Sequence, residues 1–125
     1  LMDDAIAEKK TDTAKVLAIL YAFASAVDDH ADYVKLWMNW STIVAEPTWS
    51  RYIKFQDRIL DGFKQLIDEG KAAGEFHDNL DSTMGAHLLM GSGHMIAQMK
   101  FRHRDNKMIE NFIQSLTERA LFTTA

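Results

Sequence analysis

Apolar side chains recur every three and four residues along most of the chain, the spacing that places them on one face of an α-helix. Val16, Leu17, Leu20, Phe23, Ala24 and Val27 predict a first helix over 13–28, with Thr13 or Asp12 as its N-cap. Asp28, Asp29 and His30 break the pattern, which resumes with Tyr33, Val34, Leu36, Trp37, Trp40 and Val44, predicting a second helix from Ala31 to about Ala45. Glu46 and Pro47 mark the next boundary, because proline suits the first turn of a helix and disfavours helix in the residue before it. A third helix follows, with Tyr52, Phe55, Ile59, Phe63, Leu66 and Ile67 on one face and Lys54, Asp57, Arg58, Asp61 and Lys64 turned away. Gly70 and Gly74 can end it, and Asp78, Asn79 or Asp81 can cap a fourth helix reaching from about Asp81 to Phe101. After the polar knot Lys100–Asn106, a fifth stripe contains Met108, Ile109, Phe112, Ile113, Leu116 and Ala120. Five helices and no strand make this an all-α domain.

The fourth helix departs from simple amphipathicity. Apolar residues run almost around it, as expected of an element covered on more than one side. Gly85, Gly91 and Gly93 interrupt it, and each glycine costs a helix interior about 1 kcal/mol relative to alanine. Close approach of something explains them: a neighbouring helix, a partner subunit or a ligand. Met84, Met90, Met95 and Met99 give the same helix an adaptable surface. The second and third helices are aromatic-rich and should pack on each other. There the amide of Gln56 falls one residue off the apolar line, where it can orient a ligand at the edge of an apolar cavity.

Composition narrows the function. The chain of 125 residues fits one domain, and its 47% hydrophobic and 26% charged residues are those of an ordinary globular protein. A formal charge of -4 lacks the positive excess that supplies non-specific affinity for nucleic acid, so this segment alone should not hold DNA. The absence of cysteine removes disulfides, thiolate metal sites and cysteine nucleophiles, and fits reducing cytosol. The longest uncharged apolar run, Val16–Val27, is shorter than the roughly 20 residues a spanning helix needs. Cytoplasmic residence without membrane contact is the expectation.

Chemistry finds little foothold. His87 and His94 share a helix face, but metal motifs on one helix pair ligands at three or four residues, and neither has a carboxylate at that spacing in a known motif. His30, His77 and His103 fall in connections. The pairs Asp28–Asp29 and Asp68–Glu69 stand at helix ends, and no Gly-rich phosphate loop or nucleophile elbow occurs. No catalytic residue, metal site or cofactor is expected; a helical metal enzyme using His87 and His94 is the remote alternative.

Two strings carry a resemblance. Lys71-Ala72-Ala73-Gly74-Glu75-Phe76, closing a long amphipathic helix, resembles the Gly-Glu-Phe or Gly-Glu-Leu turn of ligand domains in TetR-family transcriptional regulators. Tyr33-Val34-Lys35-Leu36-Trp37-Met38-Asn39-Trp40-Ser41 is similar to the Trp-Leu-Lys-Val-Trp-Phe-Glu-Trp-Ser segment of the LuxR-type quorum-sensing master regulators in that family, and Trp49 falls where they carry a tryptophan. The resemblance implies a regulatory domain that follows an N-terminal helix-turn-helix domain absent from this sequence, and that forms a homodimer by pairing its last two helices into a four-helix bundle. It implies interface residues among Gly85, Leu88, Gly91, Met95, Ile109, Phe112, Ile113 and Leu116, and an apolar ligand pocket lined by Trp37, Met38, Gln56 and Leu60, with Phe63 or Met90 closing it. Met38 replaces a phenylalanine, Gln56 an asparagine and Leu60 a glutamine of the LuxR-type pattern, so the pocket would be less polar. DNA would be contacted only through the missing domain. Leu1–Ile6 also resembles the start of the family's first ligand-domain helix, with too few residues following, which suggests a fragment with a break near Ala7. The alternative is a helical dimerisation module with a filled core and no ligand.

Overall fold

The computed structural model describes residues 11–122, in which five α-helices and a closing π-helical turn follow one another. They are α1 (Asp12–Asp29), α2 (Ala31–Trp40), α3 (Thr48–Ala72), α4 (Ser82–Phe101) and α5 (Asn106–Leu116), with the turn at Thr117–Phe122. No strand occurs among the described residues. The likeness at Leu1–Ile6, the break near Ala7 and the place of the Ala120 side chain on the last stripe lie outside what is described.

Most boundaries follow from caps. Thr11, rather than Thr13 or Asp12, opens α1, its hydroxyl accepting from the Ala14 amide at 3.1 Å, while the Thr13 amide donates to Glu75 across the fold at 3.0 Å. Asp81 accepts from the amides of Thr83 and Met84 at 2.9 and 3.1 Å and so starts α4. Asp105 does the same for α5 through Met108 at 2.8 Å. The second helix ends at Trp40, several residues short of the expected Ala45. Ser41 and Thr42 donate their hydroxyls to the carbonyls of Met38 and Asn39 at 2.6 and 2.8 Å, closing the last turn locally. Beyond them Val44 is 72% exposed, so it continues no buried stripe.

The third helix runs through Gly70 and stops at Ala72. Gly70 is there for packing: a Cβ at that position would lie 2.2 Å from the Phe76 ring. The left-handed residue that turns the chain is Gly74, at φ 78°, with the amides of Glu75 and Phe76 returning to the Gly70 carbonyl at 2.8 and 3.3 Å. Among the described residues nothing lies within 4 Å of a Cβ at Gly74, so Gly74→Ala is strained in its backbone. We expect it to lower unfolding free energy by about 1 kcal/mol in urea titration.

One core gathers Val16, Ile19 and Leu20 of α1, Phe63, Leu66 and Ile67 of α3, Leu89 and Ile96 of α4, and Ile109 and Ile113 of α5. A smaller cluster of Val27, Val34 and Ala97, with Met38 and Phe101 against it, joins α2 to α1 and α4. At the rim Lys100 bridges to Asp28 at 2.7 Å, tying the ends of α4 and α1. The inward faces of the fourth helix are thus covered by α1, α3 and α2, which explains the apolarity of those faces.

Candidate ligand cavity and exposed helical face

Helices α1 to α4 do not close on one another completely. Between them lies a cavity of about 950 Å³, open on one side, at the upper end of the roughly 300–1,000 Å³ typical of small-molecule sites. Leu20 and Phe23 of α1, Val34 and Trp37 of α2, Ile59 and Phe63 of α3, and Leu89, Met90 and Gly93 of α4 make its apolar walls. Large rings cannot fill a four-helix junction evenly, and glycines at 62 and 93 remove the side chains that would complete the job.

Trp37 is the organising residue. Phe23 meets it edge-on with ring centres 5.5 Å apart, and His94 stacks on it at 4.1 Å. Its indole Nε1 is buried and finds no acceptor, an arrangement that costs about 1–3 kcal/mol. A Cβ added at Gly93 would stand 3.8 Å from both Phe23 and Trp37, an ordinary contact distance. Gly93→Ala should therefore stabilise the domain by roughly 0.5–1 kcal/mol through helix propensity, read from chemical denaturation.

Of the residues expected around a pocket, Trp37, Phe63 and Met90 are brought together, and Met38, Gln56 and Leu60 stand outside the lining. Met38 packs into the smaller cluster behind Trp37, and Leu60 packs against the main core. The reason is rotational. The wall of α3 follows Phe55, Arg58, Ile59, Gly62 and Phe63, and each single-residue step turns a helix by roughly 100°, which carries Gln56 and Leu60 away from that face. The polar border comes instead from Arg58, His30 and Tyr33. The amphipathic pattern of α3 puts Arg58 on the solvent side; its position three residues after Phe55 and four before Gly62 is the signal that it borders a gap.

The histidines serve locally. His87 Nδ1 lies 2.7 Å from its own helix's Thr83 carbonyl, and His94 is occupied with Trp37. No group of three or more His, Asp or Glu side chains converges among the described residues.

The opposite side of α4 is a second feature. Met84, Leu88 and Met95 are 59%, 52% and 46% exposed, and with Gly91 they follow one another at four, three and four residues, forming a straight apolar stripe. Among the described residues nothing lies within 4 Å of a Cβ at Gly91. Beside the stripe a groove of about 570 Å³ separates Met95 and Met99 from Met108 and Phe112 of α5, with Arg102 and Arg104 at its end. The expected interface set thus divides. Leu88, Gly91 and Met95 face outward, and Phe112 and Leu116 are half-buried at the edge. Gly85, Ile109 and Ile113 belong to the chain's own core: a Cβ at Gly85 would meet Ile67 at 2.8 Å, and Ile109 and Ile113 are 3% and 0% exposed. Glycine at 85 therefore records the approach of α3, whereas glycine at 91 leaves an open notch.

Among the described residues no helix is long and apolar enough to cross a membrane. Residues 9–98, from before α1 through most of α4, match the protein-family model described as tetracyclin repressor-like, C-terminal domain. No curated protein and no solved structure matches the chain. With a match over well more than half of its length and five helices in place, the chain belongs to the tetracyclin repressor-like C-terminal domains, the non-enzymatic regulatory part of TetR-family transcription regulators.

Proposed function

We propose that this domain senses a small apolar molecule in the cavity beside Trp37 and pairs with a second copy of itself through the exposed faces of α4 and α5. The observation that carries the reading is the double use of one helix. Leu89, Met90 and Gly93 of α4 line the cavity, while Met84, Leu88, Gly91 and Met95 of the same helix form the bare apolar stripe. A ligand that fills the cavity presses on α4 from inside, and α4 meets the partner from outside. Occupancy then biases how the two copies stand, and with them the DNA-binding heads that a preceding helix-turn-helix domain would supply. The mechanism is a population shift, and it requires that the ligand bind one arrangement more tightly than the other. The regulator works in the cytoplasm on this reading.

A helical interaction module with a filled core is the competing reading, and the space beside Trp37 argues against it. The closer kinship with LuxR-type regulators rests on the string from Tyr33 to Ser41, in which Trp37 borders the cavity and Met38 lies behind it. We retain it as a proposal about ancestry and carry over no ligand from it.

The cavity is tested with the neutral dye phenylnaphthylamine, whose fluorescence rises in apolar surroundings. The intact chain should bind it saturably at one site per subunit. Gly93→Leu, whose side chain starts beside Phe23 and Trp37 and extends into the space, should abolish binding while circular dichroism stays helical. Dye binding that persists undiminished in folded Gly93→Leu would place the dye elsewhere and remove the sensing reading.

A further inference from the structure

We propose that the ligand of this cavity is an amphiphile with a single anionic head, a carboxylic acid on an apolar tail, and that Arg58 receives the head. This rests on the sensing reading above and deepens it.

The inference comes from what borders the cavity and what does not. Its depth is apolar, walled by Phe23, Trp37, Phe63 and Met90. Its polar border is Arg58, His30 and Tyr33, and among the described residues no aspartate or glutamate lines it. Tyr33 is 75% exposed and Arg58 is exposed, so this border is at the open side rather than at the bottom. A tail inside and a head at the mouth is the orientation such a distribution selects.

Arg58 is also uncommitted. Arg58 takes part in neither the Lys64–Asp68 nor the Lys100–Asp28 ion pair. Four residues away on its own helix stand Lys54 and Gly62, neither able to pair with it, and Asp61 at three residues makes no ion pair with it. A guanidinium is a donor only, with a planar fork that matches a carboxylate through two parallel hydrogen bonds. A neutral ligand would cover part of this cation and return nothing, and a cationic one would be repelled. One guanidinium suits one negative charge, which favours a carboxylate over a phosphate dianion. The Tyr33 hydroxyl on the same border can add a third hydrogen bond from α2.

The test compares decanoate, decanol and decyltrimethylammonium, of equal tail length, by isothermal titration against the intact chain below their micelle concentrations. Decanoate should bind more tightly than decanol by roughly tenfold, the low end for a charge-assisted hydrogen bond, because Arg58 is exposed. The ammonium compound should bind more weakly than decanol. Arg58→Gln should bring decanoate down to the affinity of decanol, and Arg58→Lys should keep part of the preference. Decanol binding as tightly as decanoate, or a preference that survives in Arg58→Gln, overturns the anionic head and leaves the cavity reading in place. If decanol and phenylnaphthylamine also fail to bind, the cavity reading falls and this inference with it.

Discussion

Leu88→Glu should convert a dimer at micromolar concentration into a monomer. The side chain lies midway along the Met84–Leu88–Gly91–Met95 stripe, is 52% exposed in the isolated chain and stands outside the buried core clusters, so the substitution should leave each subunit folded. Pairing through a twofold axis brings the same stripe from both copies, and the introduced carboxylate therefore counts twice. A buried charge without a partner costs about 3–5 kcal/mol, which corresponds to a rise in dissociation constant of roughly a hundredfold or more. Gly91→Leu is the steric counterpart. Since nothing among the described residues occupies the notch at Gly91, leucine there should improve the helix of the monomer and weaken the pair. Sedimentation velocity across a dilution series reads both variants. A dimer that tolerates both substitutions would have its interface elsewhere.

The second large effect is Gly70→Ala, which we expect to be the most destabilising single-methyl change in the domain. The new Cβ would lie 2.2 and 2.3 Å from two atoms of the Phe76 ring, which is itself only 3% exposed. Overpacking of this kind costs about 1–3 kcal/mol, and the ring's displacement would also disturb the turn that Glu75 and Phe76 make back to the Gly70 carbonyl. Thermal unfolding should fall by roughly 10 °C. Phe76→Leu in the same chain should restore part of the loss by returning space to Gly70. An alanine variant as stable as the parent would contradict the packing described for the end of α3.

The contrast between Gly70 and Gly74 shows what could be read from the sequence. Both were legible as helix-ending candidates, yet one turns the chain and the other admits a ring, and only the position of Phe76 decides between them. The five helices were legible because apolar spacing and capping residues act locally: Asp81 and Asp105 cap the helices they precede. The early end of α2 was missed because Ser41 and Thr42 close it with their own hydroxyls, against an apolar pattern that continues to Val44. For the cavity, Trp37, Phe63 and Met90 were legible as large or adaptable side chains at a crowded junction. Arg58 was not, since a charge beside a gap and a charge facing solvent look alike until the neighbouring helices are placed. In α4 the glycines could be seen to need an explanation but not to have different ones. Gly85 answers to Ile67, Gly93 to the cavity and Gly91 to nothing among the described residues.

If α4 couples the cavity to the pairing of two copies, filling the cavity should change an inter-subunit distance. The chain has no cysteine, so Ser25→Cys on the exposed side of α1 gives one spin label per subunit. Double electron–electron resonance should show one inter-subunit distance in the unliganded pair and a shifted distribution after saturation with phenylnaphthylamine, with no shift in Gly93→Leu. A distribution that is the same with and without bound dye, or no dipolar signal between chains at all, would rule out coupling through α4.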